Sequence, residues 1–303
     1  MFGNLAGLMR SRARYGLRGV LRAGLAIVAV AGFAACGEVA TLPVSAGIGP
    51  HPTLPAPRQT LIPTVHIAPA KGWNAGATPV AAPGTRVAAF ATGLDHPRWL
   101  HVLPNGDVLV AETNAPQKPD AGWSIRSWIM GLVMRRAGAA VPSANRISLL
   151  RDTDGDGVAD LRTVLLEGLN SPFGMALVGN QLYVANADAV LRFPYSAGLT
   201  RIATPGVQVM ALPAGPINHH WTKNIIASAD GARLYVTVGS NSNVAERGMA
   251  VEAGRAAIWE LDLRSGAQRI FASGLRNPVG LAWEPGSATL WRSEERRVGK
   301  ECA

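Results

Sequence analysis

The chain has 303 residues, of which only 16% are charged, and its formal net charge is +9. Five arginines and no acidic residue fall within the first 35 residues, so much of the positive charge lies in a leader and not on a binding surface. This distribution argues against nucleic-acid binding. The 34 glycines and 21 prolines favour an all-β protein with many turns over a helical one.

Residues 1–35 have the form of a secretion signal of the lipoprotein type. The arginine-rich start precedes the apolar run AGLAIVAVAGFAA, which is too short to span a bilayer comfortably. The run leads into the letters FAACG, which resemble a bacterial lipobox with Phe33 where leucine is usual. We therefore expect export to the periplasm and a lipid on Cys36 that anchors the chain to a bacterial membrane. A plain signal peptide is the alternative. Residues 36–85, rich in Pro, Ala, Thr and Gly, predict a tether.

Residues 86–291 repeat one pattern. Three copies open with Gly-Leu and a nearby proline, at Gly93, Gly168 and Gly274, and a fourth starts at His219 without that opening. Each copy has an apolar strand, a tight turn and an alternating strand. Units some 50 residues apart with about four short strands each are typical of propeller blades. We therefore predict an all-β fold, a partial β-propeller with about four blades.

The interval between the first two copies contains an insertion with a predicted helix. Its apolar residues on one face are Ile125, Trp128, Ile129, Leu132 and Val133. Its three arginines lie mostly away from that face. We expect this helix to pack on the flank of the propeller, and a basic amphipathic helix lying on a membrane surface is the alternative.

An acidic loop follows the insertion. Its carboxylates at loop positions 1, 3, 5 and 9 are Asp152, Asp154, Asp156 and Asp160, and a glycine stands at position 6. This spacing suits Ca²⁺. An EF-hand would need a glutamate at position 12, where Thr163 stands, and the flanks read as strands. We therefore expect a hairpin tip that binds a structural Ca²⁺, with a solvated acidic turn as the alternative.

The segment 292–303, RSEERRVGKECA, looks foreign to the fold. Seven of its twelve residues are charged, and we expect none of it to continue the strand that contains Trp291. A frameshift, a truncated read or adapter-derived sequence would have this character. We therefore expect the chain to be the N-terminal part of a larger protein. An open arc of blades exposes faces that a closed ring buries, so it should be poorly stable alone.

Two motifs carry a resemblance to a known family. The first is Arg276-Asn277-Pro278 within GLRNPVGLAW, and the second is His219-His220 within NHHWTKNIIASADGARLYVTVGS. Their order, spacing and flanking strands resemble the quinone-dependent sugar dehydrogenases of the β-propeller type, most closely the L-sorbosone dehydrogenase branch. The resemblance implies a ring of six blades, pyrroloquinoline quinone (PQQ) as cofactor, and oxidation of an aldose or aldehyde-type sugar such as glucose or L-sorbosone.

The resemblance also implies roles for individual residues. His220 would take a proton from the C1 hydroxyl of the sugar while hydride passes to C5 of PQQ, a role that suits neutral imidazole. Arg276 and Asn277 would lie against the quinone carbonyls and stabilise the negative charge that develops there. Asn170 stands at the equivalent start of an earlier blade and is a further candidate for cofactor binding.

Three positions depart from the family pattern. His219 stands where several relatives carry an acid, and Leu169 stands where a relative has an amide that contacts the quinone. Ser240 stands where an aspartate would support the catalytic histidine, and Asn241 or Asn243 is expected to substitute for it. The calcium ligands that hold the quinone in the family would lie beyond residue 291, so we expect this chain itself to be inactive.

Other cofactor classes and functions fit the sequence less well. The sequence contains no phosphate-binding glycine loop, serine-hydrolase elbow, Cys-His zinc spacing or CxxCH haem motif, so we expect electrons to leave to an external acceptor. One rival is a calcium-dependent lactonase propeller. Such a protein needs a glutamate at a blade start as a metal ligand, and this sequence has none there. The other rival is a non-catalytic sugar- or protein-binding propeller. It is favoured by Ser240 and Leu169, which stand where the family has an aspartate and an amide.

Overall fold

The computed structural model describes residues 42–47, 68–74, 76–116, 125–215, 217–243, 245 and 247–295. The predicted secretion signal and Cys36 lie outside these ranges, as does much of the predicted tether. The chain divides into two units, Met1–Ala70 and Lys71–Ala303. The described part of the first unit contains one short 3₁₀ helix, Val44–Gly47. Among the described residues, none of the helices combines the length and apolarity needed to cross a membrane.

The second unit is built from antiparallel sheets, which confirms the all-β prediction. Three sheets have four strands each, and every strand pairs with its neighbours in chain order. The first sheet comprises β1 (Pro97–Val102), β2 (Val108–Glu112), β3 (Arg146–Arg151) and β4 (Leu161–Leu166). The second comprises β5 (Met175–Val178), β6 (Gln181–Ala185), β7 (Ala189–Pro194) and β8 (Val207–Ala211). The third comprises β9 (Ile225–Ala227), β10 (Arg233–Val238), β11 (Ala257–Asp262) and β12 (Gln268–Ala272).

The last sheet within the described residues is a hairpin of β13 (Pro278–Trp283) and β14 (Leu290–Glu294). The expectation that no strand continues beyond Trp291 is wrong, because β14 runs to Glu294 and pairs with Pro278 there. Cross-strand hydrogen bonds depend on the backbone, so charged side chains can follow a strand as long as they face solvent. The foreign origin of 292–303 stays a prediction, and residues 296–303 lie outside the described ranges.

The hydrophobic core lies between successive sheets. Leu109 and Leu149 of the first sheet pack with Leu182 and Phe193 of the second in one buried cluster. A second cluster joins the second and third sheets, where Val190 packs with residues of β10. β2 and β10 are central strands covered on both faces, so nearly all of their residues are buried, including Tyr235 and Thr237 of β10.

The first strands of successive sheets lie side by side. Contacts join β1 to β5, β5 to β9 and β9 to β13. The N–H of Gly174 donates to the carbonyl of Lys223 at 2.9 Å. A Cβ on Gly174 would lie 2.5 Å from the amide nitrogen of Ile225, so only glycine allows this approach. Asn224 continues the link by donating to the carbonyl of Val279 at 2.8 Å. The residues just before and within these inner strands are therefore brought together.

The single α-helix among the described residues, α1 (Ile125–Arg136), connects β2 to β3. The prediction that it packs on the flank of the sheets is wrong, because Trp128, Ile129 and Leu132 are exposed. Its two flanking strands are paired directly with each other. The insertion therefore leaves and re-enters the first sheet at one strand end, between Glu112 and Arg146.

Candidate functional site

His220 lies just before β9 and is held by Ser240, which follows β10. Nδ1 of His220 lies 3.0 Å from the Ser240 carbonyl oxygen and 2.9 Å from Ser240 Oγ. Ser240 Oγ donates its own hydrogen to the Ser242 carbonyl at 2.7 Å. Both groups at Nδ1 are therefore acceptors, so Nδ1 carries the proton and Nε2 keeps a free lone pair. Ser240 itself supplies the support that we expected from Asn241 or Asn243.

The surroundings of His220 keep it neutral. The side chain is 7% exposed, and burial lowers its pKa below the usual value. The positive charge of Arg276 lowers the pKa further, while the Ser240 carbonyl and Glu295 oppose this shift. A neutral imidazole with its lone pair at Nε2 can accept a proton at neutral pH.

Arg276 and Asn277 lie between β12 and β13, next to the same end of β10. The Arg276 guanidinium donates from Nε to the Asn243 carbonyl and from Nη2 to Asn243 Oδ1, both at 3.1 Å. The Arg276 carbonyl accepts from the N–H of Ser240 at 2.8 Å, which ties this loop to the histidine support. Asn277 is 6% exposed, and its buried Oδ1 has no hydrogen-bond partner among the described residues.

The three predicted site residues converge on one carboxylate. Oε2 of Glu295 accepts from Asn277 Nδ2 at 2.9 Å and lies 3.8 Å from His220 Nε2. Oε1 of Glu295 lies 3.2 Å from Arg276 Nη1. The hydrogen bond from Asn277 and the charge of Arg276 lower the pKa of Glu295. Glu295 belongs to the segment predicted to be foreign. Its carboxylate marks a place among these three side chains where two neighbouring oxygen acceptors can lie.

A cavity of about 310 Å³ adjoins these residues, and we call it the arginine cavity. Its lining includes Arg276, Asn243, Ser240 and Arg255. Of the three residues that contact Glu295, only Arg276 lines this cavity.

Asn170, the fourth predicted ligand-binding residue, lies in a different cavity. This amide cavity has a volume of about 490 Å³, and Asn145, Asn170, Asn218 and Asp188 are among its lining residues. The two cavities have no lining residue in common. Arg255 lines the arginine cavity and donates to Asn218 Oδ1 at 2.9 Å, so one side chain connects their walls. The structure therefore does not bring Asn170 into contact with Arg276.

Sequence reasoning missed Lys223. This lysine is fully buried, and its Nζ donates to the His220 carbonyl at 3.2 Å. Burial lowers its pKa from 10.5 to about 7, the charge of Arg255 adds to this effect, and Asp188 opposes it. The indication was available in the polar run Thr-Lys-Asn between His220 and the apolar strand β9. Lys223 fixes the backbone of the histidine, not its ring.

The acidic loop lies far along the chain from these residues, at the tip of the β3–β4 hairpin, which confirms the hairpin prediction. Carboxylate oxygens of Asp152, Asp154 and Asp156 lie within 4.8 Å of one another. Asp160 instead accepts from the N–H and hydroxyl of Thr153, both at 2.7 Å. The structure therefore brings three of the four predicted ligands together, and calcium binding stays a prediction.

One family model and several solved structures match the chain. A family model described as TrAA12-like matches residues 143–299. The iodide structure of the Trichoderma reesei family AA12 carbohydrate-active enzyme is 20% identical, with a TM-score of 0.53, and the match covers 70% of this chain and 49% of that one. The calcium structure from the same organism is 19% identical, with a TM-score of 0.52 and the same coverages. The holo form of the pyranose dehydrogenase PQQ domain from Coprinopsis cinerea is 20% identical, with a TM-score of 0.48, covering 66% of this chain and 44% of that one.

No curated protein sequence matches the chain. The chain spans about half the length of the two AA12 structures. Their TM-scores show that it shares their fold over the matched residues.

Proposed function

This chain belongs to the TrAA12-like family, and on that premise we propose that it is part of a PQQ-dependent oxidoreductase that oxidises an aldose or aldehyde-type sugar such as glucose or L-sorbosone. The observation that carries the proposal is the convergence of His220, Arg276 and Asn277 on one pair of oxygen atoms. The proposed architecture is a β-propeller of six blades in the whole protein. Sheets in chain order with adjacent first strands support it.

The residues of the site fit PQQ. An ortho-quinone presents two neighbouring oxygen acceptors, and the Glu295 carboxylate shows that Arg276 and Asn277 can donate to such a pair. The guanidinium suits this task because it stays charged and holds several N–H donors in one plane. Gly239 keeps the site compact, since a Cβ there would lie 2.5 Å from both Asn277 Oδ1 and His220 Cβ. When bound, PQQ supplies the hydride acceptor of the reaction.

The protein residues supply proton transfer and charge stabilisation. Nε2 of His220 accepts the proton of the sugar hydroxyl, while Ser240 holds the proton on Nδ1 and fixes the ring. Arg276 keeps its positive charge close to the place where negative charge develops, held by Asn243 so that it need not reorganise. Asn277 adds a neutral N–H donor.

Further parts of the proposal concern the surroundings of the site. Asn170 would contact the cofactor or the sugar from the amide cavity. The acidic loop would bind a structural Ca²⁺. An external acceptor would take the electrons, and a lipid on Cys36 would anchor the protein in the periplasm.

The test is an activity assay on the protein encoded by the gene after resequencing across codon 291. We expect the purified product, supplied with PQQ and Ca²⁺, to reduce a dye when an aldose is added. His220→Gln should lower kcat by about 100-fold or more, because it removes the base. His219→Gln, a change at the neighbouring position, is the matched control and should keep most of the activity. Sugar binding without PQQ binding would contradict the proposal and favour a non-catalytic binding propeller.

A further inference from the structure

We propose that helix α1 is a membrane-docking element that inserts its exposed apolar side chains into the surface of an anionic bilayer. The proposal does not depend on the proposed enzymatic function. It concerns an exposed surface of the connection between β2 and β3.

The first observation is a group of large apolar side chains in contact with solvent. Trp128 is 56% exposed, Ile129 50%, Leu132 44% and Met134 45%. Single exposed apolar residues are normal in soluble proteins, but Trp128, Ile129 and Leu132 lie on one face of the helix within five residues, and such a patch needs a partner. Tryptophan is the side chain most enriched where a protein meets the polar–apolar boundary of a bilayer.

The second observation is the charge around that patch. Residues 121–145 contain three arginines and no acidic residue. Arg135 and Arg136, in the last turn of α1, are both exposed. Basic residues beside apolar ones complement a surface of anionic lipids. A second copy of this chain is a poorer partner, because its own residues 121–145 would bring further arginines and no acidic residue to the contact.

The third observation is that the helix is attached at a defined place. Gly138, at φ 71, ends the helix, and the N–H of Ala139 donates to the Met134 carbonyl at 2.9 Å. The buried Asn114 side chain, just after β2, then donates to the carbonyls of Ala139 at 3.2 Å and Val141 at 2.6 Å. The C-terminal end of α1 is therefore tied to the end of β2 through Asn114.

The attachment also places the patch beside the amide cavity. Pro116 on one side of the insertion and Pro142 on the other both line that cavity. Docking of α1 would therefore bring the neighbourhood of the cavity to the bilayer surface.

The test uses the full chain with Cys36→Ser, so that the predicted lipid cannot contribute. Residues 1–35 are present in every variant, so differences between variants report on α1. We expect co-sedimentation with phosphatidylglycerol vesicles and much weaker co-sedimentation with phosphatidylcholine vesicles. The double variant Arg135→Glu, Arg136→Glu should weaken binding to the anionic vesicles by about tenfold or more. The matched control, Arg201→Glu with Arg264→Glu, makes the same change of net charge at other exposed arginines and should have a much smaller effect.

Trp128 provides a second readout that does not depend on charge. Brominated lipids should quench part of the tryptophan emission, and Trp128→Phe should remove that quenched part while keeping vesicle binding. Equal binding to both vesicle types, or equal losses in the two double variants, would overturn the proposal. So would a dimer in sedimentation that depends on Trp128 without vesicle binding, because the patch would then serve a second copy.

Discussion

Ser240 Oγ lies 2.9 Å from Nδ1 of His220 and donates its hydrogen to the Ser242 carbonyl. A serine with its hydrogen engaged elsewhere is a pure acceptor toward the imidazole, so it fixes the tautomer as an aspartate would. Burial lowers the pKa of His220 below the usual value, and the serine adds no negative charge that would raise it again. The imidazole is therefore neutral before the reaction, and it readily releases the proton that Nε2 accepts from the substrate.

The first prediction concerns the protonation of His220. In the wild-type chain, ¹⁵N NMR of labelled histidine should show the proton on Nδ1 and a pKa below about 6.5. Ser240→Asp should raise that pKa by roughly one unit or more, because a neighbouring carboxylate stabilises the imidazolium. His219→Gln is the control and should preserve the tautomer. A proton on Nε2 in the wild type would contradict the assignment.

The second prediction concerns Gly239. In Gly239→Ala, the new Cβ would lie 2.5 Å from both His220 Cβ and Asn277 Oδ1, so one of the two site residues must shift. We expect a loss of about 1–3 kcal/mol in the free energy of unfolding, measured by denaturant titration. Gly131→Ala in α1 is the matched control, because its Cβ meets nothing closer than an Arg135 nitrogen at 3.7 Å. Equal stability of the two variants would show that the contact between the sheet end and the Arg-Asn loop is loose.

The third prediction concerns the buried Lys223. Its pKa is about 7 in the folded chain, against 10.5 for an ordinary lysine. Between these values the unfolded chain binds more protons than the folded one, so the free energy of unfolding should rise with pH by up to ~1.4 kcal/mol per unit. The contribution is largest above the unfolded pKa and is lost as pH falls toward 7.

Lys223→Met should remove this rise between pH 7 and pH 10, in the same denaturant titration repeated across pH. The exposed Lys71 serves as control, and Lys71→Met should keep the slope of the wild type. An unchanged slope in Lys223→Met would contradict the lowered pKa of Lys223 in the folded chain.

The fourth prediction concerns the acidic loop. Asp152, Asp154 and Asp156 gather their oxygens within 4.8 Å of one another. We expect Ca²⁺ to raise the thermal midpoint, and Mg²⁺ to do so less because it demands stricter geometry. Asp154→Asn with Asp156→Asn should abolish the effect, whereas Asp230→Asn, in another exposed turn, should keep it. Equal thermal midpoints of the wild type in Ca²⁺ and in EDTA would contradict calcium binding and indicate a solvated acidic turn.

The sequence predicted the sheets well because their cause is local. Alternating apolar residues and tight turns, as in Arg233–Val238, specify a strand wherever it is placed. His220, Arg276 and Asn277 were predicted together from the family resemblance, and the structure brings all three to one carboxylate.

The differences between prediction and structure have a common physical origin: they depend on where a side chain lies relative to the rest of the fold. Whether the apolar face of α1 is buried depends on which surface lies next to the insertion, and the spacing of Trp128 and Leu132 carries no information about that. The support of His220 by Ser240 and the burial of Lys223 depend on backbone carbonyls, whose direction the sequence does not specify. Asn170 was assigned by analogy of position and lines a separate cavity, and its role in cofactor binding stays a prediction.

The central claim is that Arg276 and Asn277 hold PQQ next to His220. The most direct measurement is calorimetric titration of PQQ into the protein encoded by the resequenced gene, comparing the wild type with Arg276→Met. The account predicts that the variant binds PQQ about tenfold or more weakly, because a charged hydrogen bond to the cofactor is lost. Asp154→Asn, in the distant acidic loop, should bind as the wild type does. Equal affinity of wild type and Arg276→Met would contradict the account.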